Sequence, residues 1–571
     1  MKDFLRSLPL QLEGDVSRAL HDAEARGMAP RLWARDATLW SGRDESRWLG
    51  WLELPERETS ELPALERAAQ DAAAFAHVVV LGMGGSSLCP DVLARTFGRQ
   101  PGHPELLVLD STDPAQVKAC EALLDPARTL VVVASKSGST LEPEILRARF
   151  FARFREALGA AEAGRRFVAI TDPGSKLEQA ARSDGYRATW PGVPEVGGRF
   201  SALSHFGMLP AALAGLDVAR LLAGGREMAQ ACGPGVPSAG NPGLVLGLVL
   251  GVAARHGVDK LTLVASPGLA ALGAWLEQLV AESTGKDGKV ILPIDGEALG
   301  APEAYGDDRI FVYVRLASAP DAAQDAGVAA LEQAGRPVLR IQVREPYALG
   351  GELFRWEMAT AVMGAVLGVN PFDQPDVEAA KLAARAVSSE FERTGSLPPE
   401  TPLAAFGPFE VHADPRNVGA LRQGVGEERS LQAFLRVHLC RLRRCDYAAI
   451  LAFLPMDARS EAVLQRARHR VRDRFRVATT LGFGPRFLHS TGQAHKGGPG
   501  SGVFLQLTCD DAQDLEVPGQ RASFGVVKAA QARGDFQVLA DRNRRVLRVH
   551  LKGDLHAALA GFDDALGAAL A

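Results

Sequence analysis

The sequence lacks an apolar run long enough to cross a lipid bilayer. Its longest apolar stretch, Leu244–Ala254, is interrupted by two glycines and falls short of the roughly 20 residues that a membrane-spanning helix needs. The first residues, Met1–Asp15, carry charges and a proline and do not have the form of a signal peptide. The sequence also lacks a large excess of charge of either sign, because 64 basic residues nearly balance 68 acidic ones and leave a formal net charge of -4. We therefore expect a cytoplasmic protein that has neither a membrane nor a nucleic acid as its partner.

Cysteine is scarce, with six residues in a chain of 571. Only Cys440 and Cys445 are close in sequence, and their spacing fits no zinc-binding pattern. Scattered cysteines of this kind are typical of reduced, mostly buried thiols. The sequence has no convincing cluster of metal ligands, and we expect neither a metal nor a cofactor. Apolar residues are plentiful, at 47%, and at this length they predict about three or four domains.

The stretch Leu130–Glu144 passes from a buried strand through a small polar loop into a helix. Unpaired N–H groups, the positive end of the helix dipole and nearby hydroxyls together favour an anion at such a place. Ordinary capping of the helix would need only one hydroxyl and is the alternative. The loop has four hydroxyl residues and one lysine, and we predict that it binds phosphate: Ser135, Lys136, Ser137, Ser139 and Thr140.

Apolar strands alternate with helices on both sides of this loop, which predicts a doubly wound parallel sheet with ligands at the carboxyl ends of its strands. Gly85 and Ser86 follow one such strand, where glycine lets a backbone approach a ligand closely. A dinucleotide-binding fingerprint is the alternative for this segment, although Ser87 stands where its third glycine would be. A second α/β unit begins near Leu216, and a further α/β pattern appears from Asp446.

These patterns predict two tandem doubly wound parallel-sheet α/β sandwiches and a C-terminal α/β extension. The predicted regions are a helical lead-in at 1–60, a first domain at 61–215, a second at 216–390, a linker or irregular arm at 391–445, and the C-terminal α/β region at 446–571.

Two charged residues have positions that point to catalysis. Two glycines precede Arg199 and indicate a tight turn that aims its side chain, although most arginines form surface ion pairs. Glu282 ends an apolar helix, where the negative end of the helix dipole favours a protonated carboxyl and suits a general base. The alternative is a solvated Glu282 paired with Lys286 one helical turn further on.

Five segments in order resemble the glucose-6-phosphate isomerase family, and they cover roughly residues 60–390: LGMGGSSLCP, ASKSGSTLE, GGRFSALSHFG, AESTGK and NPFDQPDVEAAK. The segments Leu481–Pro499 and Arg544–Leu551 are similar to the isomerase half of the bifunctional transaldolase/glucose-6-phosphate isomerase. No stretch before Leu62 has the pattern of a transaldolase barrel. We therefore expect a free-standing isomerase or that half alone.

The resemblance implies two sugar-isomerase (SIS-type) domains that interconvert glucose 6-phosphate and fructose 6-phosphate in glycolysis and gluconeogenesis. It assigns the hydroxyl loop to the phosphate group and Gly85 and Ser86 to substrate contact. Arg199 would stabilise the enediolate intermediate, and Glu282 would move the proton between C1 and C2. Gln374 would bind substrate, and Lys381 would assist ring opening.

One departure from the family concerns a histidine used in ring opening, which is missing from Gly300–Asp308. The tail contains STGQAHKGG, similar to the context of that histidine, so we hypothesise that His495 has taken its role. His489 is the second choice, and the alternative is that both histidines only order a loop.

The resemblance also implies a homodimer with a small sugar phosphate as its partner, and it allows association with a transaldolase. A sugar-phosphate sensor is an alternative function, but it would not need Glu282 or Lys381. An isomerase for another hexose 6-phosphate, such as mannose 6-phosphate, is a further alternative.

Overall fold

The computed structural model describes residues 8–571 of the chain, so residues 1–7 of the predicted lead-in lie outside the described residues. The described part of the lead-in contains three α-helices, α1 (Leu10–Ala25), α2 (Met28–Trp33) and α3 (Leu54–Ser60), and α4 (Leu62–Ala72) follows it. Trp51 is fully buried, and its ring centroid lies 5.5 Å from that of Phe200 and 5.6 Å from that of Phe354. Aromatic burial of this kind holds the lead-in against both of the following units.

The first unit is a five-stranded parallel sheet with the order β2-β1-β3-β4-β5. Its strands are β1 (His77–Leu81), β2 (Glu105–Leu109), β3 (Thr129–Ala134), β4 (Phe167–Thr171) and β5 (Ala188–Pro191). Its helices are α5 (Leu88–Phe97), α6 (Pro114–Leu123), α7 (Leu141–Leu158), α8 (Ala160–Gly164) and α9 (Lys176–Ser183). Every residue of β3 is buried, because helices cover both faces of the sheet.

The second unit has a four-stranded parallel sheet with the order β7-β6-β8-β9. Its strands are β6 (Lys260–Ala265), β7 (Leu292–Ile294), β8 (Arg309–Leu316) and β9 (Val338–Val343). Helix α10 (His205–Leu213) precedes this unit and packs against α4 and α5. The helices of the unit are α11 (Val218–Ala231), α12 (Pro242–Arg255), α13 (Leu272–Thr284), α14 (Ala322–Gln333) and α15 (Leu349–Leu367). Helix α16 (Pro375–Thr394) follows and packs against the helix Phe524–Asp541 of the third unit. A Cβ on Gly247 of α12 would lie 2.5 Å from the Ala359 carbonyl oxygen of α15, so these two buried helices pack at close range.

The third unit is a six-stranded mixed sheet with the order β10-β11-β15-β14-β12-β13. Strands β12 to β15 are parallel, and β10 and β11 are antiparallel additions at one edge. Its strands are β10 (Ala404–Phe406), β11 (Phe409–His412), β12 (Tyr447–Phe453), β13 (Ala478–Phe483), β14 (Gly502–Cys509) and β15 (Arg545–Leu551). Its helices are α17 (Pro415–Val425), α18 (Leu431–Leu439), α19 (Ala458–Phe475), α20 (Gly492–Gly497), α21 (Phe524–Asp541) and α22 (Leu555–Leu570).

The predicted fold class is confirmed, since two tandem parallel α/β sandwiches are followed by a third α/β unit. The segment expected to be a linker or arm differs from that expectation, because residues 391–445 include two strands of the third sheet and two helices. Strand β11 is only four residues long and is held by β15, which lies far away in sequence, so local pattern could not reveal it. Across residues 8–571, no helix combines the length and the apolar character needed to span a membrane.

Candidate active site

The polar loop after β3 has hydroxyls that its own helix does not use. Thr140 precedes α7 but makes no side-chain capping hydrogen bond, and the Ser135 Oγ atom has no partner among residues 8–571. The Ser137 and Ser139 Oγ atoms lie 2.9 Å apart and hydrogen bond to each other. A helix N-terminus whose N–H and hydroxyl donors are not used within the helix is suited to binding an anion.

Lys136 has a different position from the hydroxyls around it. Its Nζ atom lies 2.5 Å from Asp172 Oδ2 and donates to the carbonyl oxygens of Val193 and Pro194 at 3.2 Å. The side chain is thereby held by residues that directly follow β4 and β5.

A cavity of about 270 Å³ adjoins the hydroxyl loop. Its polar lining residues come from the loop and the start of α7, from α16, from the segment after β13 and from α21: Ser137, Ser139, Thr140, Glu142, Glu378, Lys381, Arg385, His489 and Gln531. Lys381 is partly exposed, and its Nζ atom lies 4.0 Å from Glu378 Oε2 on the same helix, so its ammonium group is not committed to a close ion pair.

Glu142 in the first turn of α7 hydrogen bonds to two residues of the third unit that line this cavity. Its Oε1 atom lies 3.1 Å from His489 Nε2 and accepts a hydrogen bond from Gln531 Nε2 at 2.7 Å. Gln531 Oε1 in turn accepts from Thr112 Oγ1 at 2.8 Å. Burial raises the pKa of the Glu142 carboxyl, but His489, a backbone hydrogen bond and the charge of Lys381 together outweigh burial, so the pKa is lowered overall.

Arg199 is the centre of a second group of residues. It lies in a short 3-10 turn, Gly198–Phe200, and is only 4% exposed, which excludes the surface ion pair considered from sequence. Its Nη1 atom donates to Gln374 Oε1 at 3.0 Å and lies 3.5 Å from Glu282 Oε1. Its Nε atom donates to Ser283 Oγ at 2.7 Å. Burial lowers the pKa of Arg199, although the nearby Glu282 carboxylate opposes that change, and a guanidinium remains charged.

Glu282 is 7% exposed at the end of α13, so the solvated alternative is wrong. Lys286 does not pair with it. The Lys286 ammonium donates to Asp373 Oδ1 at 2.6 Å and also to the Asn370 carbonyl oxygen. Burial lowers the pKa of Lys286 to about 8, and the nearby charge of Arg199 adds to this.

The glycine turn after β1 connects the two groups of residues. A Cβ on Gly85 would lie 2.0 Å from the Gly198 carbonyl oxygen, so only glycine lets this turn reach the backbone beside Arg199. Gly84, at a φ of +56°, lies against Gln278 and His489. Gln278 Nε2 donates to Glu282 Oε2 at 3.1 Å. Contacts therefore run from Glu282 through the glycine turn, which includes Ser86, to the cavity beside the hydroxyl loop.

His495 does not reach this cavity, contrary to the hypothesis from sequence. It is buried between aromatic rings of the third sheet, with its Nδ1 atom 3.0 Å from the Tyr447 hydroxyl and its ring 5.1 Å from that of Phe504. Burial lowers its pKa well below the ordinary value, and the charges of Lys496 and Arg544 add to this effect. The second choice, His489, is the tail histidine that lines the cavity.

Sequence reasoning missed several residues of the site. Gln278 stands one helical turn before Glu282, and that spacing could have identified it. Gln531 lies 389 residues from Glu142 along the chain, and no local signal marked it.

Comparisons with known proteins show the family of the chain. Residues 61–297 match the family model described as phosphoglucose isomerase. The chain is similar to the glucose-6-phosphate isomerase of Rubrobacter xylanophilus, with 34% identity over 423 residues that cover 64% of this chain and 94% of the relative. It is also similar to that of Thermosynechococcus vestitus, with 34% identity over 355 residues that cover 55% of this chain and 66% of the relative.

Solved structures are also similar to this chain, and two of them illustrate the likeness. A hypothetical protein of Thermus thermophilus has a TM-score of 0.57 and 29% identity, and the match covers 66% of this chain and 98% of that one. A glucose-6-phosphate isomerase of Chlamydia trachomatis has a TM-score of 0.52 and 22% identity, covering 64% of this chain and 78% of that one. At that identity, the second likeness concerns the fold alone.

Proposed function

The chain belongs to the glucose-6-phosphate isomerase family, and on that premise we propose how its residues interconvert glucose 6-phosphate and fructose 6-phosphate. The observation that carries the proposal is the buried Glu282 carboxylate 3.5 Å from a buried arginine that also holds Gln374. A base beside a fixed positive charge is what proton transfer next to a carbonyl requires.

The hydroxyl loop holds the phosphate group of the substrate. Support comes from the hydroxyls before α7 that do not cap this helix, and from the cavity that Ser137, Ser139 and Thr140 line. Ser135 completes the set of donors, and Lys136 adds positive charge beside the loop. Binding at C6 orients the sugar so that C1 and C2 reach the acid–base group, which is how remote binding energy lowers a reaction barrier.

Glu282 takes the proton from C2 of the open-chain aldose. The electron pair of that C–H bond forms the C1–C2 double bond, and the C1 carbonyl electrons move onto O1. Arg199 stabilises the negative oxygen, and the proton of the O2 hydroxyl passes to O1 as the C2 carbonyl forms. The Glu282 carboxyl then returns its proton to C1, which gives the ketose. Gln374 and the Gly85–Ser86 turn position the sugar.

Ring opening falls to His489 and Lys381, which both line the cavity. Opening the cyclic sugar needs a proton on the ring oxygen and removal of a proton from the O1 hydroxyl. Glu142 fixes the orientation of the His489 ring, as a carboxylate partner does for a catalytic histidine. The predicted homodimer and the predicted association with a transaldolase stay predictions.

A coupled assay with fructose 6-phosphate tests the activity, and a crystal soaked with 5-phosphoarabinonate, a mimic of the enediolate, tests the residue roles. We expect its phosphate group on the hydroxyl loop and its carboxylate between Arg199 and Glu282. A phosphate group bound elsewhere, or a carboxylate more than one water away from Arg199, would refute the assignment.

A further inference from the structure

A second polar crevice lies in the third unit, at the carboxyl ends of its parallel strands. From β12 the chain passes to β13 on one side and later returns to β14 on the other, so the strand order reverses between β12 and β14. Ligands in open α/β sheets bind at such a reversal. A cavity of about 280 Å³ lies at this place and is lined by the last residues of these strands, Phe453, Thr508 and Cys509.

The reversal has the same form in the first unit, where β1 is flanked by β2 and β3. There the carboxyl ends of the two strands carry the glycine turn and the hydroxyl loop of the isomerase site. The third unit thus repeats the topology that places a ligand in the first, but with a different set of side chains.

Two arginines converge in this crevice from regular elements. Arg548 of β15 is 3% exposed, and its Nη2 atom donates to Glu400 Oε1 at 2.8 Å. Arg533 of α21 is half-buried, and its Nε atom lies 2.8 Å from Glu400 Oε2. The Glu400 carboxylate therefore lies between two guanidinium groups, each of which can bind a phosphate or carboxylate through paired N–H groups.

The wall of the crevice also contains polar groups that have no hydrogen bond to the Glu400 carboxylate. The Nε atom of Arg548 is buried and has no hydrogen-bond partner among residues 8–571. His412, which pairs with Arg548 across β11 and β15, has only a contact of 3.8 Å from Nε2 to Glu410 within the same range. Burial lowers the pKa of His412 to about 4, and the charge of Arg548 adds to this, so the ring is neutral near pH 7. A buried donor without a partner costs free energy that a ligand would recover.

The other charged groups in the crevice have partners of their own. Lys528 donates to Asp113 Oδ2 at 2.8 Å and also to Asp511, and Glu410 pairs with Lys552 at 3.1 Å. The two arginines therefore have Glu400 as their shared counter-ion.

Glu400 itself lies on a segment without helix or strand, between α16 and β10. The segment is tied by a hydrogen bond of 2.6 Å from Arg533 Nη1 to the Pro398 carbonyl oxygen. The Glu400 side chain is 33% exposed, so the crevice is open to solvent at this carboxylate. A ligand can enter there without any change in the sheet.

We propose that this crevice is a second binding site, for a small phosphate-bearing metabolite whose phosphoryl group replaces the Glu400 carboxylate between Arg533 and Arg548. A phosphoryl dianion offers three acceptor oxygens where Glu400 offers two, so it can also pair with the free Arg548 Nε atom. The volume is at the small end for ligand sites, which suits a compact metabolite. Thr508 and His412 are placed to contact its hydroxyl groups.

Calorimetric titration of the full chain with sn-glycerol 3-phosphate tests the proposal by counting sites. We expect two sites in the wild type, one in the isomerase cavity and one in the crevice. Ser139→Asp should remove only the first through charge repulsion, and Arg533→Gln should weaken only the second by about tenfold to a hundredfold. Glu400→Gln should tighten the second site, because the competing carboxylate is gone.

Arg436→Gln is the matched control, since Arg436 forms an exposed ion pair with Glu428 elsewhere in the third unit. It should leave both sites unchanged. Arg533 is preferred to the buried Arg548 because its replacement is less disruptive, and circular dichroism of each variant verifies folding. Binding in the crevice that is indifferent to Arg533→Gln, or weakened by Glu400→Gln, overturns the proposal. The proposal is likewise overturned if Ser139→Asp abolishes all binding. A wild type that binds sn-glycerol 3-phosphate in the crevice but not in the isomerase cavity would count against the proposed isomerase site instead.

Discussion

The Arg199 Nη1 atom lies 3.5 Å from the Glu282 Oε1 atom, and both side chains are almost fully buried. The distance is too long for a tight ion pair, because Arg199 is anchored by four hydrogen bonds to other groups. The carboxylate therefore keeps an oxygen that Arg199 does not bind closely, as the proposed proton transfer requires, while the guanidinium charge stays in place beside it. Fixed charge near a base is the arrangement that favours an enediolate over its neutral precursor.

Glu282→Gln is expected to reduce kcat by about a thousandfold or more while KM stays within a few-fold. Glutamine nearly keeps the shape and can still meet Gln278, but it cannot accept the C2 proton. Coupled kinetics with fructose 6-phosphate measure both constants. Glu303→Gln, at a position away from the site, should behave as wild type, and near-normal turnover in Glu282→Gln would place the base elsewhere.

Arg199→Lys should lower kcat by about a hundredfold, because an ammonium group keeps the charge but not the planar fork. It should also lower the melting temperature, since the carbonyl oxygens of Pro371 and Asp373 lose a buried donor. Steady-state kinetics and thermal unfolding separate the two effects. If Arg199→Lys retained full activity, positive charge alone would be sufficient and the planar guanidinium geometry would have no role in catalysis.

His489→Ala and His495→Ala are expected to have different consequences. His489 lines the cavity, so its loss should slow turnover of the cyclic sugar much more than that of an open-chain substrate. His495 packs against Tyr447 and Phe504, so its loss should leave a core cavity and lower the melting temperature with little preference between substrates. Comparing both substrates for both variants is decisive, and equal losses in His489→Ala would remove its role in ring opening.

Stability should depend on pH through Glu58 of α3. Burial raises the pKa of Glu58 to about 8, and its Oε2 atom faces the Nε2 atom of His205 at 3.4 Å, whose pKa burial lowers. The unfolded carboxyl releases its proton near pH 4.5, whereas the folded one keeps it until about pH 8. Stability therefore falls as pH rises through this window, by up to about 1.4 kcal/mol per pH unit from this group.

Glu58→Gln should remove that contribution, so the variant should gain stability over the wild type between pH 5 and pH 8. Melting temperatures of both proteins at several pH values measure the difference. Glu56→Gln, at an exposed position of the same helix, is the control and should follow the wild type. A constant difference between wild type and Glu58→Gln across this range would show that Glu58 is ionised in the folded protein.

Local sequence determined the parts of this protein that depend on neighbours in the chain. The apolar run of β3 and the hydroxyls after it predicted a strand, an anion loop and a helix start, because backbone geometry and capping act over a few residues. The spacing of Gln278 and Glu282 likewise follows from one turn of α13.

Tertiary structure alone decided which distant groups meet. Arg199 donates a hydrogen bond to Gln374, 175 residues away in sequence, and Glu142 accepts one from Gln531, 389 residues away. It also placed His489 rather than His495 at the cavity, and it paired β11 with β15 in a segment that looked irregular. Such contacts depend on how whole sheets and helices pack, because burial of apolar surface sets the approach of elements whose polar side chains then become neighbours.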